Sequence, residues 1–294
     1  MSTADSLSDS RVSRAVEFAL MEDIGMGDVT GDAIVGETDM ASAAFLCKQQ
    51  GTVAGIDIAA LVFTYCDQSI TMQRLVADGT AVAPGTVIAR VDGDARGILR
   101  GERTALNFLQ RMSGIATLTA EYVRLVAGTA AKITDTRKTA PGLRALDKMA
   151  VRLGGGVNHR FGLDDMVLIK DNHVVAAGGI EAAVARCRAY LAERRLEIKI
   201  EVEARSLAEV DEALSCQGIA RIMLDNFSLG EMSKAVARIG RRVEVEASGG
   251  ITLATVRAVA ETGVDFISIG ALTHSAAGLD ISLELSQTAR ARPR

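Results

Sequence analysis

From residue 131 onward, short apolar runs alternate with segments of helical periodicity. The runs read AAKIT, DMVLI, EIKIEV, ARIMLD, RVEVEA and VDFISIG. The segments between them read GLRALDKMAVRL, GIEAAVARCRAYLAERR, SLAEVDEAL, LGEMSKAVARI and TLATVRAVAET. Strands joined by single helical crossovers run parallel within one sheet. Six such units with almost no residues to spare predict a closed or nearly closed barrel, and a doubly wound open sheet is the alternative.

The first 130 residues have a mixed pattern that predicts a smaller α+β domain. SRVSRAVEFALMED has the periodicity of an amphipathic helix, and DIAALVFTYC predicts a second helix. Strand candidates are ASAAFLCK, SITMQRLV and GTVIARVD, which are separated by turn signals such as DGT and APG. RGERTALNFLQRMSG and IATLTAEYVRLVAG then predict two consecutive helices that bridge to the barrel.

Composition excludes several classes of protein. A hydrophobic content of 48% over 294 residues is ample for a large core, and no run approaches the 18 apolar residues of a membrane span. An isoelectric point near 5.6 argues against nucleic-acid binding. The four cysteines form no CxxC pair and lack a histidine at metal-ligand spacing, which indicates free thiols. We expect a soluble cytoplasmic protein with neither nucleic acid nor membrane as a partner.

Charge is distributed unevenly along the chain. Residues 100–175 carry 12 basic and 7 acidic side chains, whereas the whole chain has a net charge of -4. A cationic segment inside an acidic chain indicates a local anion site rather than a basic surface.

Polar residues follow all six predicted barrel strands. In chain order they are Asp135, Arg137 and Lys138; Lys170, Asp171, Asn172 and His173; Glu203; Asp225 and Asn226; the EASGG segment; and the GALTHS segment. The carboxyl ends of parallel strands meet at one edge of the sheet, and that edge carries the ligand site in α/β barrels and open sheets. The pattern therefore predicts a functional cluster, although caps and solvated turns can also place polar residues there.

Two features of this edge suit phosphates and carboxylates. The cationic set comprises Arg137, Lys138, His159, Arg160 and Lys170. The small-residue loops comprise Ser248, Gly249 and Gly250 after the fifth strand, and Gly270, Ala271 and His274 after the sixth. Small residues let the backbone approach a phosphate, and barrels often bind phosphate after their last two strands. The alternatives are a solvated basic face and two ordinary glycine turns.

An acidic pair, Glu203 and Asp225, is predicted at the same edge. Carboxylates opposite a cationic wall can bind sugar hydroxyls or Mg²⁺, or stabilise a developing cation. The alternative is that they are salt-bridge partners of the nearby cations. RLGGGVNHR contains three glycines but no GxGxxG after a strand, so a dinucleotide-binding fold is not indicated.

Several long motifs resemble the quinolinate phosphoribosyltransferase family. They are DTRKTAPGLRALDKMAVRLGGGVNHRFGLDDMVLIKDNH, EVE, LDNF, EASGGI and GALTHS, preceded by EDIGMGDVT and GERTALNFLQRMSGIAT. The resemblance covers roughly residues 10–284. It implies an α/β fold with an N-terminal α/β sandwich domain over residues 1–115. It also implies an incomplete (β/α) barrel of six to seven parallel strands over residues 116–275, with residues 276–294 packing back on the first domain.

The resemblance also implies a reaction. Quinolinate and phosphoribosyl pyrophosphate would give nicotinate mononucleotide, pyrophosphate and CO₂, with Mg²⁺, in de novo NAD synthesis. A homodimer or larger homo-oligomer with a shared active site is implied as well.

The resemblance assigns roles to individual residues. Quinolinate would contact Arg103 (supplied by the neighbouring subunit), Thr136, Arg137, His159, Arg160 and Lys170. Lys138, Glu203 and Asp225 would be catalytic and would bind phosphoribosyl pyrophosphate, with Mg²⁺ held by the two carboxylates directly or indirectly. Ser248, Gly249, Gly250, Gly270, Ala271 and His274 would bind the 5′-phosphate end.

Three rival functions remain at this point. Lys170 at the end of a barrel strand is also typical of a Schiff-base aldolase. A phosphometabolite-binding module would keep the cations but would not need Glu203 and Asp225 together. A paralogue of the same fold could use a different acceptor.

Overall fold

The computed structural model describes residues 9–286. In chain order its elements are α1 (Ser10–Ile24), α2 (Val29–Ile34), β1 (Met40–Cys47), β2 (Gly51–Thr52), α3 (Ile56–Cys66), β3 (Thr71–Arg74), β4 (Ala81–Val82), β5 (Val87–Asp94), α4 (Ala95–Leu125), β6 (Lys132–Thr134), α5 (Arg144–Leu153), β7 (Val167–Ile169), α6 (Asp171–Ala177), α7 (Ile180–Arg194), β8 (Ile200–Ala204), α8 (Leu207–Ser215), β9 (Arg221–Asp225), α9 (Leu229–Ile239), β10 (Glu244–Ser248), α10 (Val256–Glu261), β11 (Phe266–Ser268), α11 (Ala271–His274) and β12 (Ile281–Ser286).

The elements form two compact units. The first contains the described residues up to 120, residues 139–155 and the described residues from 273 onward, and the second contains residues 121–138 and 156–272. These units divide the chain at 120/121 and 272/273, where the predicted boundaries are 115/116 and 275/276, and they differ further in one segment. Residues 139–155, which include α5, were expected in the barrel domain and belong to the first unit.

The first unit is built on a four-stranded sheet in the order β12-β1-β5-β3, and its pairs are antiparallel. Along β1 every second side chain is buried, as expected for a strand with one face against a core. Phe45 of β1 packs against Phe63 of α3, with ring centroids 6.0 Å apart. The helix predictions for α1 and α3 and the strand predictions for β1, β3 and β5 are confirmed.

Helix α4 is continuous over 31 residues, so the prediction of two consecutive helices here is wrong. The misleading signal was Gly114, which was taken as the end of the first helix. A Cβ at Gly114 would lie 2.0 Å from the carbonyl oxygen of Ala277. This glycine therefore permits close packing of the helix against another backbone segment and does not interrupt the helix.

The second unit contains a six-stranded parallel sheet in the order β6-β11-β10-β9-β8-β7. Each strand from β7 to β11 lies beside the next one in the chain, and the first strand lies beside the last. In a doubly wound sheet the order of the strands reverses partway across the sheet. The order observed here has no such reversal, so that alternative is wrong. Between the edge strands β6 and β7, an isolated parallel bridge joins Thr134 to Val157. The α/β class and all six predicted barrel strands are confirmed.

Two further sequence predictions can be compared with the structure. The four cysteines are free thiols, and burial raises the pKa of Cys47 to about 11. None of the described helices combines the length and apolarity needed to cross a bilayer.

Candidate active site

The carboxyl ends of β9 and β10 meet in register, with Asp225 opposite Ser248. The backbone N–H of Asn226 donates to the Ser248 carbonyl over 2.9 Å, which extends the pairing by one residue. The side-chain amide of Asn226 donates to Asp225 Oδ2 over 2.8 Å. The loops after these two strands are therefore held together at the predicted ligand edge.

Gly249 is required by this junction. Its φ is +99°, and a Cβ there would lie 2.2 Å from Asn226 Oδ1. Gly250 follows with a φ of +61° and open space around the position of a Cβ. The two glycines turn the chain directly after Ser248 and leave the backbone accessible, which suits the approach of a phosphate.

Arg160 is a buried cation of the predicted set. Its Nη1 donates to the Met166 carbonyl over 3.0 Å. Burial and, second, the positive charge of Arg137 lower the pKa of the Arg160 guanidinium. The structure thus brings Arg137 and Arg160 into electrostatic range of each other, and two cations held this close favour an anion between them.

Lys170 directly follows β7 and is the residue before α6, a short helix that the sequence pattern does not predict. Its ammonium lies 3.0 Å from Glu203 Oε2 at the end of β8. The lysine side chain is about half exposed and the glutamate is nearly buried. The salt-bridge alternative for Glu203 is therefore present in the structure, and it joins the cationic and acidic sets.

Thr136, Arg137 and Lys138 follow β6 in a turn. The backbone N–H of Lys138 donates to Thr136 Oγ1 over 3.0 Å. Arg137 and Lys138 are exposed, as a residue that meets a soluble anion must be. Gly270 and Ala271 follow β11 and are partly buried.

His159 lies inside the second unit rather than on the exposed edge. Its Nδ1 accepts the backbone N–H of Arg160 over 2.8 Å. Its Nε2 lies 3.0 Å from Glu201 Oε2 and 3.5 Å from Glu246 Oε1. Both ring nitrogens thus face protein groups, and a contact of His159 with quinolinate stays a prediction.

The buried polar groups around His159 were not predicted as functional. Glu201 and Glu246 are completely buried, and desolvation raises the pKa of each carboxyl to about 7. Arg221 Nη1 donates to Glu246 Oε2 over 2.7 Å. Asp135, also fully buried, accepts the backbone N–H of His159 over 2.9 Å.

A sequence signal for these groups exists. The strands EIKIEVE and RVEVEA alternate glutamate with branched apolar residues, so that Glu201 and Glu203 share one face of β8. A strand covered by helices on one side exposes its other face to the barrel interior. Charge at every second position therefore indicates a polar interior, which the analysis of apolar runs overlooked.

Two predicted site residues belong to the first unit, Arg103 on α4 and His274 on α11. Arg103 is exposed and forms no ion pair within the part of the chain that the structure describes. The alternative that it pairs with Glu102 is therefore not observed. The Nδ1 atom of His274 lies 2.5 Å from Ser275 Oγ.

Two family models match the chain. Residues 28–113 match the quinolinate phosphoribosyl transferase N-terminal domain, and residues 115–284 match the C-terminal domain of the same family. The chain is 46% identical over 285 residues to the quinolinate phosphoribosyltransferase [decarboxylating] 1 of Nicotiana glauca, covering 92% of this chain and 81% of that protein. It is 44% identical to a probable nicotinate-nucleotide pyrophosphorylase [carboxylating] of Synechocystis, covering 90% of each.

Solved structures agree with these matches. NadC from Streptococcus pyogenes superposes with a TM-score of 0.90 at 39% identity, covering 95% of this chain and 98% of that one. The nicotinate-nucleotide pyrophosphorylase of Francisella tularensis superposes with a TM-score of 0.89, also at 39% identity, covering 94% and 96%.

Proposed function

The chain belongs to the quinolinate phosphoribosyl transferase family, and we propose that the carboxyl ends of its six parallel strands bind both substrates of that reaction. The enzyme transfers the phosphoribosyl group of phosphoribosyl pyrophosphate to quinolinate, with release of pyrophosphate and CO₂ and formation of nicotinate mononucleotide. It is a pentosyltransferase of NAD synthesis.

The observation that carries the site assignment is the pairing of cations with acids along this edge. Arg137 and Arg160 are close enough to perturb each other, and Lys170 lies 3.0 Å from Glu203. Quinolinate is a pyridine dicarboxylate, so its recognition requires at least two cationic groups. Arg160 suits one carboxylate through its planar guanidinium, while Arg137 and Lys170 supply further positive charge. Thr136 adds a hydroxyl beside Arg137.

In this proposal the acidic pair, Glu203 and Asp225, contacts the ribose, and Lys138 contacts the pyrophosphate leaving group. The pyridine nitrogen attacks the anomeric carbon while pyrophosphate departs, so positive charge develops on the sugar ring. Glu203 and Asp225 stabilise that charge, and the exposed Lys138 neutralises pyrophosphate. The new C–N bond leaves the ring nitrogen positive. The electron pair left on the adjacent ring carbon when its carboxylate departs as CO₂ is stabilised by this positive charge, and a proton from water then completes the ring C–H bond.

The donor set of Glu203 and Asp225 fits Mg²⁺. This ion prefers oxygen ligands and is usually bound by one or two carboxylates together with substrate phosphates and water. Both side chains are partly accessible at the ends of neighbouring strands, as such a site requires. When bound, Mg²⁺ would supply positive charge to the departing pyrophosphate.

The two small-residue loops bind the 5′-phosphate in this proposal. Gly249 and Gly250 both have positive φ angles, and this geometry turns backbone N–H groups toward an anion. Ser248 adds a hydroxyl, and Gly270 with Ala271 provides a second approach from the next strand. A contact of His274 with the phosphate stays a prediction.

The active site is shared between subunits of a homo-oligomer in this proposal. Arg103 is exposed and has no ion-pair partner among the described residues, which suits a side chain that acts across an interface. Exposed apolar residues on α1 and α2, including Phe18, Met21 and Val29, suit a covered face in the same unit. A cytoplasmic location, supported by the four free thiols, stays a prediction.

A pyrophosphate-release assay tests the acceptor. Quinolinate should support release, and nicotinate, with one carboxylate fewer, should not at comparable concentration. One charge-assisted contact left unmade costs about 1.5–3 kcal/mol, or roughly 10–150-fold in affinity. The reaction without acceptor gives the background. Comparable turnover of nicotinate would contradict the quinolinate pocket and favour a paralogue with another acceptor.

The aldolase alternative is not supported by the site. A Schiff-base lysine needs a neutral amine, which desolvation or a neighbouring cation favours. Lys170 is instead half exposed, and its ammonium lies 3.0 Å from Glu203 Oε2, so its surroundings are neither desolvated nor cationic. Borohydride with a carbonyl substrate should therefore fail to modify Lys170.

A further inference from the structure

His159 is held in one tautomer by its own neighbour. The backbone N–H of Arg160 can only donate, and it points at His159 Nδ1 over 2.8 Å. Nδ1 therefore carries no proton in the neutral ring, and the ring proton resides on Nε2. That proton faces the barrel interior.

Two buried carboxylates lie where this proton points. Glu201 Oε2 is 3.0 Å and Glu246 Oε1 is 3.5 Å from His159 Nε2. Neither Glu201 oxygen, nor Oε1 of Glu246, accepts an aligned hydrogen bond from any described residue. By distance the imidazole Nε2–H lies within reach of these oxygens, although it is not aligned on either of them. Ser268 also acts on Glu246, and Arg221 occupies its other oxygen.

The same three side chains could be read as a metal site, since their ligand atoms lie within 4.8 Å of one another. The tautomer argues against this. A metal on Nε2 would need a lone pair there while Nδ1 already accepts from Arg160, which would require a doubly deprotonated ring. Two arginines, Arg160 and Arg221, also act electrostatically on Glu201.

We infer that Glu201 and Glu246 are positioning residues that act through His159 to fix Arg160 for its substrate carboxylate, an inference that rests on the proposed function. Two contacts connect the carboxylates to Arg160. The two carboxylates orient the imidazole, the imidazole receives the backbone N–H of Arg160, and Arg160 presents the guanidinium. Asp135 fixes the same segment from the other side through the backbone N–H of His159.

A direct test reads the tautomer without using activity. The chain has three histidines, so the variant H173Q/H274Q leaves His159 as the only one. Long-range proton–nitrogen spectra of its imidazole should show a protonated Nε2 and an unprotonated Nδ1. A protonated Nδ1, or an equal mixture of both tautomers, would overturn the inference.

Steady-state kinetics tests the consequence for the substrate. Glu201→Gln and Glu246→Gln should each raise KM for quinolinate roughly tenfold or more, because an amide replaces a carboxyl group that faces the imidazole. KM for phosphoribosyl pyrophosphate should change less than threefold. Glu244→Gln is the matched control, since Glu244 also pairs with Arg221 but does not contact His159. Equal effects on both KM values would overturn the inference.

A double-mutant cycle separates positioning from general damage. In an Arg160→Ala background, Glu201→Gln should leave KM for quinolinate almost unchanged, because the group that it positions is gone. Additive losses would overturn the inference. If Glu201→Gln does not fold, Glu246→Gln in the same cycle and the wild-type tautomer decide the matter. If wild-type protein does not use quinolinate at all, the proposed function fails, while the tautomer still reports whether the carboxylates hold His159.

Discussion

Lys170 and Glu203 form an ion pair of 3.0 Å between the ends of two neighbouring strands. The pair joins a cation proposed for quinolinate to a carboxylate proposed for the ribose. Before quinolinate binds, Glu203 holds the Lys170 ammonium group. Quinolinate must therefore compete with Glu203 for this group. Removal of the Glu203 carboxylate should therefore strengthen quinolinate binding and slow the reaction.

We expect Glu203→Gln to bind quinolinate more tightly while it turns over more slowly. A partly exposed pair contributes about 0–1 kcal/mol, so the dissociation constant measured by calorimetry should fall by up to roughly fivefold. The loss of transition-state charge stabilisation should lower kcat roughly a hundredfold. Asp225→Asn removes a carboxylate that forms no ion pair with a lysine among the described residues. If Asp225→Asn tightens quinolinate equally, the competition argument is wrong.

Lys138 and Arg160 should serve different substrates. Lys138→Ala should mainly weaken phosphoribosyl pyrophosphate, and Arg160→Ala should mainly weaken quinolinate, by roughly 10–150-fold in each case. Lys138 is exposed after β6, whereas Arg160 is buried beside Glu201. Calorimetric titration of each variant with each ligand measures the split, with the exposed helix residue Arg194 replaced by alanine as the control. Weakening of one and the same ligand by both changes would rule out the division.

Mixing two inactive variants tests the shared active site. In a two-fold dimer of Arg103→Ala with Lys170→Ala, one site carries both defects and the other carries none if Arg103 acts across the interface. Random exchange makes about half of the dimers hybrids, so roughly a quarter of wild-type activity should return. Size-exclusion chromatography first verifies that each variant dimerises and exchanges. No recovery from proven hybrids would place the function of Arg103 within its own subunit or outside the site.

The ion pair between Arg111 and Asp147 should contribute strongly to the unfolding free energy of the first unit. Asp147 is fully buried and accepts two hydrogen bonds of 2.8 Å from the Arg111 guanidinium. Arg111→Ala leaves a buried charge unpaired, which should cost about 3–5 kcal/mol of unfolding free energy in urea. Adding Asp147→Asn should restore part of that loss. A double variant less stable than Arg111→Ala alone would show that packing, not the unpaired charge, dominates.

Stability should fall with rising pH because of Glu246. Burial, with Glu201 as the second cause, raises the pKa of Glu246 from 4.5 to about 7. The native state thus retains a proton that the unfolded chain has already lost, and this contribution to stability is complete below about 4.5 and disappears as pH rises through about 7. Relative to wild type, Glu246→Gln should show a shallower decline when unfolding free energies are compared between pH 5 and pH 8, because only Glu201, whose pKa is also raised to about 7, remains to contribute. Parallel curves would contradict the assigned titration, and Glu244→Gln provides the control.

The barrel strands could be predicted because each is a short apolar run bounded by a helix. Strand periodicity and connection length are local properties, so β6 to β11 follow from the sequence. The polar edge also follows, since Lys170, Glu203 and Asp225 each lie within one residue of a strand's carboxyl end. Their pairing required the sheet register, which sequence alone does not specify.

Two local environments could not be predicted, for a common physical reason. A distant group determines the surroundings of both Gly114 and His159. The carbonyl of Ala277 accounts for the glycine inside α4, and Glu201 with Glu246 accounts for the buried histidine. Contacts between residues far apart in the chain are available only from the fold.

The contact of Gly114 with Ala277 has a consequence for genetics. A crowded side chain can usually be relieved by trimming its neighbour, so a second mutation elsewhere restores function. Here the neighbour is a carbonyl oxygen, which every amino acid carries. No replacement at residue 277 can remove it, so a defect from Gly114→Ala has no allele-specific suppressor at the point of contact.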